Sequence, residues 1–285
     1  MSTPRGATTG APTGTVAPTV VRYDLTPRVL RVRAVRRLTP RMVRVTLAGP
    51  DLAGFREAGP ADHVKVFFPD RRDALPSLPR VGPRGMERDG VARTFRDYTV
   101  RAYRPDAGEL DIDFVVHGTG PAATWAAGAR AGDAVGVLGP RGSVLMPLHL
   151  DWYVLAGDET ALPALGRWLE QLPAGARARV WVEVADAAEE QPLPSAARVE
   201  LTWLHRDAAP AGGGSLLADA VTGYPLPPGD GFVWVAGEAG ALKPIRRHLR
   251  AHPTLPRDAW VVDGYWKRGE SNFDHHTPQD DDQPR

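Results

Sequence analysis

The chain has 285 residues, a formal net charge of +1, 42% hydrophobic residues, 24% charged residues and no cysteine. Its length allows two domains with separate cores, and the near-neutral charge excludes a general attraction to nucleic acid or acidic membranes. The lack of cysteine excludes disulfides, thiolate zinc sites and cysteine-ligated iron–sulfur clusters, so redox chemistry would require a bound organic cofactor. No apolar run approaches the roughly 20 residues of a membrane span. Residues 1–18 lack the apolar core of a signal peptide, so we expect a cytoplasmic protein.

The first half of the chain alternates short apolar segments with turns. Residues 1–25 are rich in Ser, Thr, Pro, Gly and Ala, and we expect them to be disordered. Within residues 26–148 the predicted strands cover 29–35, 42–47, 63–68, 95–103, 110–116 and 134–138, with a helix from 121 to about 129 and a long exposed loop over 70–93. Several short strands separated by Gly and Pro turns favour a small antiparallel β-barrel.

The second half of the chain alternates strands with helices. Within residues 149–269 the predicted strands cover 152–156, 179–184, 198–204, 232–236 and 259–262, and the predicted helices cover 161–171, 216–221 and 241–249. The first of these strands is apolar throughout, as is typical of a strand buried on both faces. This order of strands and helices favours a parallel, doubly wound α/β sheet that follows the barrel. Residues 270–285 are polar, and we expect them to form a C-terminal tail.

The segment Arg96-Asp97-Tyr98-Thr99-Val100-Arg101 is the most informative part of the chain. In an extended strand Arg96, Tyr98 and Val100 share one face, and Thr99 and Arg101 share the other. A planar ring, a hydroxyl and two fixed positive charges suit a ligand that is partly aromatic and partly phosphate, as flavin adenine dinucleotide (FAD) is. The alternative is a surface strand decorated with arginines.

A second element of the barrel suits a phosphate. A strand that contains Asp113 and Val115 ends in the turn His117-Gly118, and a helix begins with Pro121 in its first turn, where proline is favoured. Free N–H groups at the start of a helix bind anions, and a pyrophosphate is such an anion. The alternative is an ordinary connection between a strand and a helix.

Two strand–helix junctions of the second half carry carboxylates. The segment Gly157-Asp158-Glu159-Thr160 occupies the crevice where a nucleotide pyrophosphate usually lies, but it lacks the glycine fingerprint. Asp158 could cap the helix, bind a ribose hydroxyl or repel phosphate, so binding of a nicotinamide dinucleotide stays open. The second junction contains Glu238.

The last predicted strand is followed by Tyr265-Trp266-Lys267-Arg268. Two aromatic rings and two cations at this point offer a surface to stack on a flavin and charges for an anionic substrate, or else the edge of a core. Arg141, in a Gly-Pro turn after the strand at 134–138, is another cation within possible reach of an anionic ligand.

Taken together, these motifs resemble the siderophore-interacting protein family, which are FAD-dependent ferric-siderophore reductases of the ferredoxin-reductase-like superfamily. The resemblance covers about residues 28–269. The matching segments follow in family order at 62–65, 96–101, 117–126, 132–140, 157–163, 236–238 and 264–266.

The resemblance implies an N-terminal FAD-binding barrel and a C-terminal reductase domain. The FAD-binding residues that it implies are Arg96, Tyr98, Thr99, Val100, Arg101, Asp113, Val115, His117, Gly118, Pro121, Ala122, Ala123, Thr124, Trp125, Asp158, Thr160, Glu238 and Trp266. The family often has a serine where this chain has Ala123, and the neighbouring Thr124 is the candidate for the missing hydroxyl.

The implied substrate is an anionic ferric siderophore, and the cations that fit it are Lys65, Arg141 and either Lys267 or Arg268. NADH, NADPH or a ferredoxin would reduce the flavin, and the reduced flavin would pass electrons to Fe(III). The implied mechanism needs no catalytic acid–base residue and no metal ligand. From the net charge and the lack of a long apolar run we expect no nucleic-acid or membrane partner, and we expect a monomer.

Two other functions stay open at this point. A flavin reductase or ferredoxin–NAD(P) reductase with another acceptor would need a glycine-rich nicotinamide loop, which residues 157–163 do not provide. A non-enzymatic siderophore-binding module without flavin would be colourless after purification, whereas a flavoprotein is yellow.

Overall fold

The computed structural model describes residues 17–83, 85–87, 89, 91, 93–118, 120–207 and 209–273. Within these residues the chain forms an antiparallel β-barrel followed by a parallel α/β domain, as predicted. No helix in the described part of the chain is long and apolar enough to cross a membrane.

The barrel domain contains eleven strands and one α-helix in its described residues. The strands are β1 (Thr19–Arg22), β2 (Pro27–Thr39), β3 (Met42–Ala48), β4 (His63–Phe68), β5 (Val81–Gly82), β6 (Gly85–Met86), β7 (Thr94–Thr99), β8 (Ala102–Arg104), β9 (Glu109–Val115), β10 (Ala134–Leu138) and β11 (Gly142–Leu145), and the helix is α1 (Pro121–Ala127). Seven strands form an antiparallel sheet in the order β7-β4-β10-β2-β3-β9-β8.

The sheet curls because its two edge strands are consecutive in the chain. Only Val100 and Arg101 separate β7 from β8, so the two ends of the seven-stranded sheet meet. Helix α1 packs against β3, β4, β7 and β9, and its Trp125 contacts the rings of Phe68 and Phe114 in the barrel core. The aromatic cluster fills the barrel with side chains, as in other small barrels.

Two expectations for the barrel domain need correction. Part of the segment 1–25 is ordered as β1, because its β-branched Val20 and Val21 pair with the otherwise open edge of β11. Residues 1–16 lie outside the described residues. The segment 70–93 is more than an exposed loop, since β5 and β6 form a hairpin and Leu78 packs over Gly136.

The second domain is a doubly wound parallel sheet. Its strands are β12 (Trp152–Asp158), β13 (Arg177–Val184), β14 (Arg198–His205), β15 (Gly231–Glu238) and β16 (Trp260–Trp266), and its helices are α2 (Leu162–Gln171), α3 (Leu216–Thr222) and α4 (Lys243–Ala251). The strand order is β14-β13-β12-β15-β16, and all pairs are parallel. One core contains α2, and the core on the other face contains α3 and α4. Strand β16 continues past the predicted end at residue 262, because Asp263 and Gly264 stay paired with β15.

Helix α2 joins the two domains. The guanidinium of Arg167 is buried, donates to the carbonyl oxygen of Val100 at 2.8 Å and forms an ion pair with Glu57. A second contact involves Glu189, which is buried and accepts hydrogen bonds from the Thr39 hydroxyl at 2.5 Å and from the Arg41 amide at 3.0 Å. The first contact fixes the α/β domain against the connection between β7 and β8, and the second fixes it against the turn between β2 and β3.

Candidate functional site

Strand β7 carries the arginine and the tyrosine that the sequence predicts to hold a cofactor. Across the β4–β7 ladder Tyr98 lies opposite Val64 and Arg96 lies opposite Val66, so both side chains share the inner face of the barrel. The centroid of the Tyr98 ring is 4.3 Å from that of Phe114, and burial raises the pKa of the phenol, which therefore stays protonated. Arg96 and Tyr98 thus share one face of the strand, as predicted.

Strand β7 ends at Thr99, before the predicted end at residue 103. The chain turns inward at this point, because the Val100 amide donates to the Asp62 carbonyl at 2.8 Å and the Arg101 amide donates to the Asp111 carbonyl at 2.9 Å. Val100 is fully buried in the barrel core. The prediction of one continuous strand over 95–103 is therefore wrong, and β8 begins a new strand.

Arg101 lies at the seam between the barrel and helix α2. Its guanidinium is 2.6 Å from the Glu170 carboxylate and 4.0 Å from that of Asp113. Asp113 also accepts two hydrogen bonds from Arg44, at 2.6 and 2.7 Å. Val115 packs against the core of the α/β domain. These three predicted cofactor residues, Arg101, Asp113 and Val115, all lie at the contact between the domains.

The turn before α1 has an open backbone. Gly118 has a φ of 55°, a left-handed conformation that favours glycine. His117 and Gly118 are both exposed. Helix α1 begins at Pro121, and no side chain of the described residues caps it. The amides of Ala122 and Ala123 have no partner within the helix, so this turn has donors for an anion.

Two further residues predicted to bind the cofactor at this turn, Thr124 and Trp125, differ in exposure. Thr124 is exposed, whereas Trp125 is 7% exposed and lies in the barrel core, with ring centroids 5.5 Å from Phe68 and 5.7 Å from Phe114. The Trp125 indole therefore supports the helix from beneath. Thr119, within the same turn, lies outside the described residues.

The two aromatic residues at the end of β16 point to opposite sides, because they are neighbours in a strand. Burial and the Asp263 carboxylate raise the pKa of the Tyr265 phenol, and the nearby side chain of the buried Thr99 on β7 lowers it. The Trp266 indole instead donates to Asp158 at 2.8 Å. The sequence singled out Trp266, but Tyr265 is the residue that reaches the barrel. Had the sequence analysis extended the last strand to residue 266, the alternation of side chains along it would have placed Tyr265 and Trp266 on opposite faces.

Asp158 organises the carboxyl edge of the parallel sheet. Its carboxylate accepts hydrogen bonds from the Thr160 amide at 2.9 Å, the Thr160 hydroxyl at 2.5 Å and the Glu238 amide at 3.0 Å, as well as from Trp266. Burial, together with the neighbouring Glu159 carboxylate, raises the pKa of Asp158 to about 6. Asp158 does not cap α2, because the N-cap position of that helix is Ala161. Its side chain instead accepts hydrogen bonds from Thr160 within the turn that precedes the helix.

Sequence reasoning missed an ion-pair cluster beside Asp158. The guanidinium of Arg206, which follows β14, donates to the Glu159 carboxylate at 2.6 and 2.7 Å and lies 3.6 Å from Glu183. Glu238 accepts from the amides of Ala241 and Arg268. No local motif marks this cluster, because its members come from three different strand ends.

The proposed substrate cations lie on the outer face of the barrel and beyond β16. Lys65 binds Asp97 at 2.9 Å and lies 5.1 Å from the centroid of the Phe95 ring, on the face opposite Tyr98. It pairs in register with Leu138, three residues before the exposed Arg141. Beyond β16, Lys267 and Arg268 are both exposed, and Lys267 forms an ion pair with Glu270 at 2.9 Å. The same segment reaches the barrel, since Arg96 lies 3.4 Å from the Asn272 side chain.

An antiparallel barrel packed on a five-stranded parallel sheet is the ferredoxin-reductase-like fold. The ferredoxin reductase of carbazole 1,9a-dioxygenase has the same fold, with a TM-score of 0.59, 15% identity and coverage of 86% of this chain and 70% of that chain. Residues 31–144 match the siderophore-interacting FAD-binding domain, and residues 150–269 match the siderophore-interacting protein model. The chain belongs to the siderophore-interacting protein family.

Similar proteins include two with named activities. The ferric vibriobactin reductase ViuB of Vibrio cholerae is 37% identical over 256 residues, which cover 88% of this chain and 93% of ViuB. The NADPH-dependent ferric-chelate reductase of Escherichia coli is 34% identical over 254 residues, which cover 87% of this chain and 96% of the relative. A siderophore utilization protein from T. fusca has a crystal structure with a TM-score of 0.86 and 50% identity, and covers 91% of this chain and 99% of its own.

Proposed function

We propose that the protein is an FAD-dependent ferric-siderophore reductase, which passes electrons from a nicotinamide nucleotide through flavin to Fe(III) and releases Fe(II). The observation that carries the proposal is the approach of β7 to the segment that ends the nucleotide-type sheet, where Tyr265 lies beside Thr99 and Arg96 donates to the Asn272 side chain at 3.4 Å. The named activities of ViuB and of the Escherichia coli relative support the same reaction.

The residues of the barrel fit FAD. Arg96 and Tyr98 would hold the flavin from β7, and Tyr265 of the other domain would lie beside Thr99 at the end of the same strand. The turn at His117 and Gly118, with the free amides that follow Pro121, would hold the pyrophosphate. Bound FAD supplies one-electron transfer, which this chain without cysteine cannot provide through an iron–sulfur cluster.

Four cations would attract the substrate. Catecholate and hydroxamate oxygens are hard ligands that hold Fe(III) more tightly than Fe(II), so reduction loosens the metal. The chelate carries negative charge, and the exposed Arg141, Lys267 and Arg268, together with the half-buried Lys65, would draw it to the protein. No residue of the protein has to ligate iron, because the siderophore already does so.

An anaerobic assay with a coloured Fe(II) trap tests the proposal. Ferric catecholates and hydroxamates are each combined with NADH, NADPH or reduced ferredoxin as donor. We expect trapped Fe(II) with a nicotinamide donor and at least one ferric chelate. If a donor reduces the flavin but no chelate yields Fe(II), the protein acts on another acceptor and the proposal fails.

A further inference from the structure

We propose that Glu159 makes the protein select NADH over NADPH as the reductant of its flavin. The inference rests on the proposed function and concerns only the choice between these two donors. NADH and NADPH differ in the 2′-phosphate of the adenosine ribose and in nothing else. Contacts with the shared pyrophosphate and nicotinamide therefore cancel, and the groups near the 2′-position decide between the two donors.

The position of that ribose follows from the sheet. In nucleotide-binding parallel sheets the adenosine ribose lies at the carboxyl ends of adjacent strands, where an acidic side chain binds the 2′-hydroxyl or an arginine binds the 2′-phosphate. Here Asp158 ends β12, and its partner in register is Glu183, the penultimate residue of β13. Arg206 follows β14, the strand next to β13, and its amide donates to the carbonyl of Val184. Both kinds of side chain are thus present at one edge.

The charge of Arg206 is already balanced by the protein. Arg206 is 7% exposed, and its two terminal nitrogens donate to the two carboxylate oxygens of Glu159 at 2.6 and 2.7 Å. A bidentate fork of this kind is the geometry with which arginine binds phosphate. Glu159 therefore occupies the fork that a 2′-phosphate would need, and Glu183 lies 3.6 Å from the same guanidinium.

The remaining charges also oppose a second phosphate. Asp158, Glu159, Glu183 and Glu238 bring four carboxylates to this edge, where Arg206 is the guanidinium that pairs with Glu159 and Glu183, while the amide of Arg268 donates to Glu238. A further dianionic group in such surroundings is repelled. The Arg206 guanidinium is buried and both its terminal nitrogens are engaged by Glu159, so it offers no accessible fork to a 2′-phosphate. The edge therefore suits NADH, which lacks that phosphate.

The test follows flavin bleaching without iron. FAD-loaded protein is mixed anaerobically with NADH or NADPH, and the second-order rate of loss of flavin absorbance is measured for each donor. We expect NADH to react at least about tenfold faster than NADPH. The Glu159→Gln variant removes the competing anion and keeps the side-chain shape, so we expect the NADH/NADPH ratio to fall about tenfold.

A matched control and a binding measurement complete the test. Glu190→Gln removes a carboxylate that pairs with His205 at 2.8 Å, directly before Arg206, and should leave the donor ratio within about twofold. Calorimetric titration with NAD⁺ and NADP⁺ should show the same preference in the wild type and its loss in Glu159→Gln. Glu183→Gln is a second variant with the same expected direction.

Three results would overturn the inference. These are equal rates with NADPH and NADH in the wild type, an unchanged donor ratio in a folded Glu159→Gln variant, or no bleaching with either nucleotide. The proposed function is tested separately, by mixing dithionite-reduced protein with ferric chelate and following flavin reoxidation. If ferric chelate does not reoxidise the reduced flavin, the proposed ferric reduction is refuted, whereas the measured ratio of the NADH and NADPH rates is unaffected.

Discussion

The indole of Trp266 and the carboxylate of Asp158 are joined by a hydrogen bond of 2.8 Å that passes over strand β15. Because β16 and β12 are not neighbours in the sheet, this side-chain bond ties two strands that share no backbone ladder. It holds Trp266 at the carboxyl edge of the sheet and leaves Tyr265 to face the barrel. The Asp158 carboxylate thus holds the Trp266 side chain at the sheet, on the side opposite Tyr265.

The first prediction concerns the pH dependence of stability. Burial raises the pKa of Asp158 from its ordinary value of 3.8 to about 6, so the folded protein binds this proton more tightly than the unfolded chain does. The stability that this group contributes is fully present below about pH 4 and is lost as the pH rises through about 6. We expect the free energy of unfolding of the wild type to fall across this window relative to Asp158→Asn, by up to about 3 kcal/mol. Urea unfolding of both proteins at several pH values checks this, and parallel curves would contradict it.

The second prediction concerns flavin content. In the double variant Arg96→Ala, Tyr98→Leu the cation and the phenol are lost, while leucine keeps apolar volume beside Phe114. We expect FAD affinity to fall at least about tenfold, because both the charge and the ring contact disappear. The ratio of flavin to protein after purification and a titration of added FAD measure the loss. Arg33→Ala, on the exposed side of β2, is the control and should retain full flavin content.

The third prediction concerns the anionic substrate. The triple variant Lys65→Ala, Arg141→Ala, Lys267→Ala should lower kcat/KM for a ferric siderophore about tenfold and leave FAD content unchanged, because three positive charges on the approach surface are removed. The KM of the wild type should rise with ionic strength, and that of the variant should change far less.

A charge-matched control separates this local effect from net charge. Removal of the exposed Arg36, Arg247 and Arg250 changes the net charge by the same amount at other surfaces. This control should keep the wild-type rate and its salt dependence. Equal losses in both triple variants would argue against a defined substrate surface.

The fourth prediction concerns the contact between the domains. Glu189 is buried and accepts from the Thr39 hydroxyl and the Arg41 amide, so Glu189→Ala leaves both donors without their partner. We expect a loss of about 1–3 kcal/mol in the free energy of unfolding. Glu190→Ala breaks only the half-exposed pair with His205 and should change stability by less than about 1 kcal/mol. Equal effects of the two substitutions in urea unfolding would contradict this prediction.

The sequence predicted what depends on local periodicity. The bounds of β4 and β10 are as predicted, because β4 begins with alternating apolar residues, β10 is a short continuous apolar run, and turns flank both strands. The end of β7 was wrong, since hydrogen bonds to Asp62 and Asp111, far along the chain, turn the backbone inward. The pairs Thr99–Tyr265 and Glu159–Arg206 were not predicted, because long-range contacts depend on the order of strands in the sheet.

The hydrogen bond from Arg167 to the carbonyl of Val100 has an evolutionary consequence. The bend that ends the predicted flavin strand is held by a helix of the other domain. A gene fusion that joins this barrel to a foreign reductase half would lose the partner of that carbonyl unless the new half supplies a donor at the same place. Because the acceptor is a main-chain oxygen, we expect this constraint to act on Arg167 and not on the side chain at position 100.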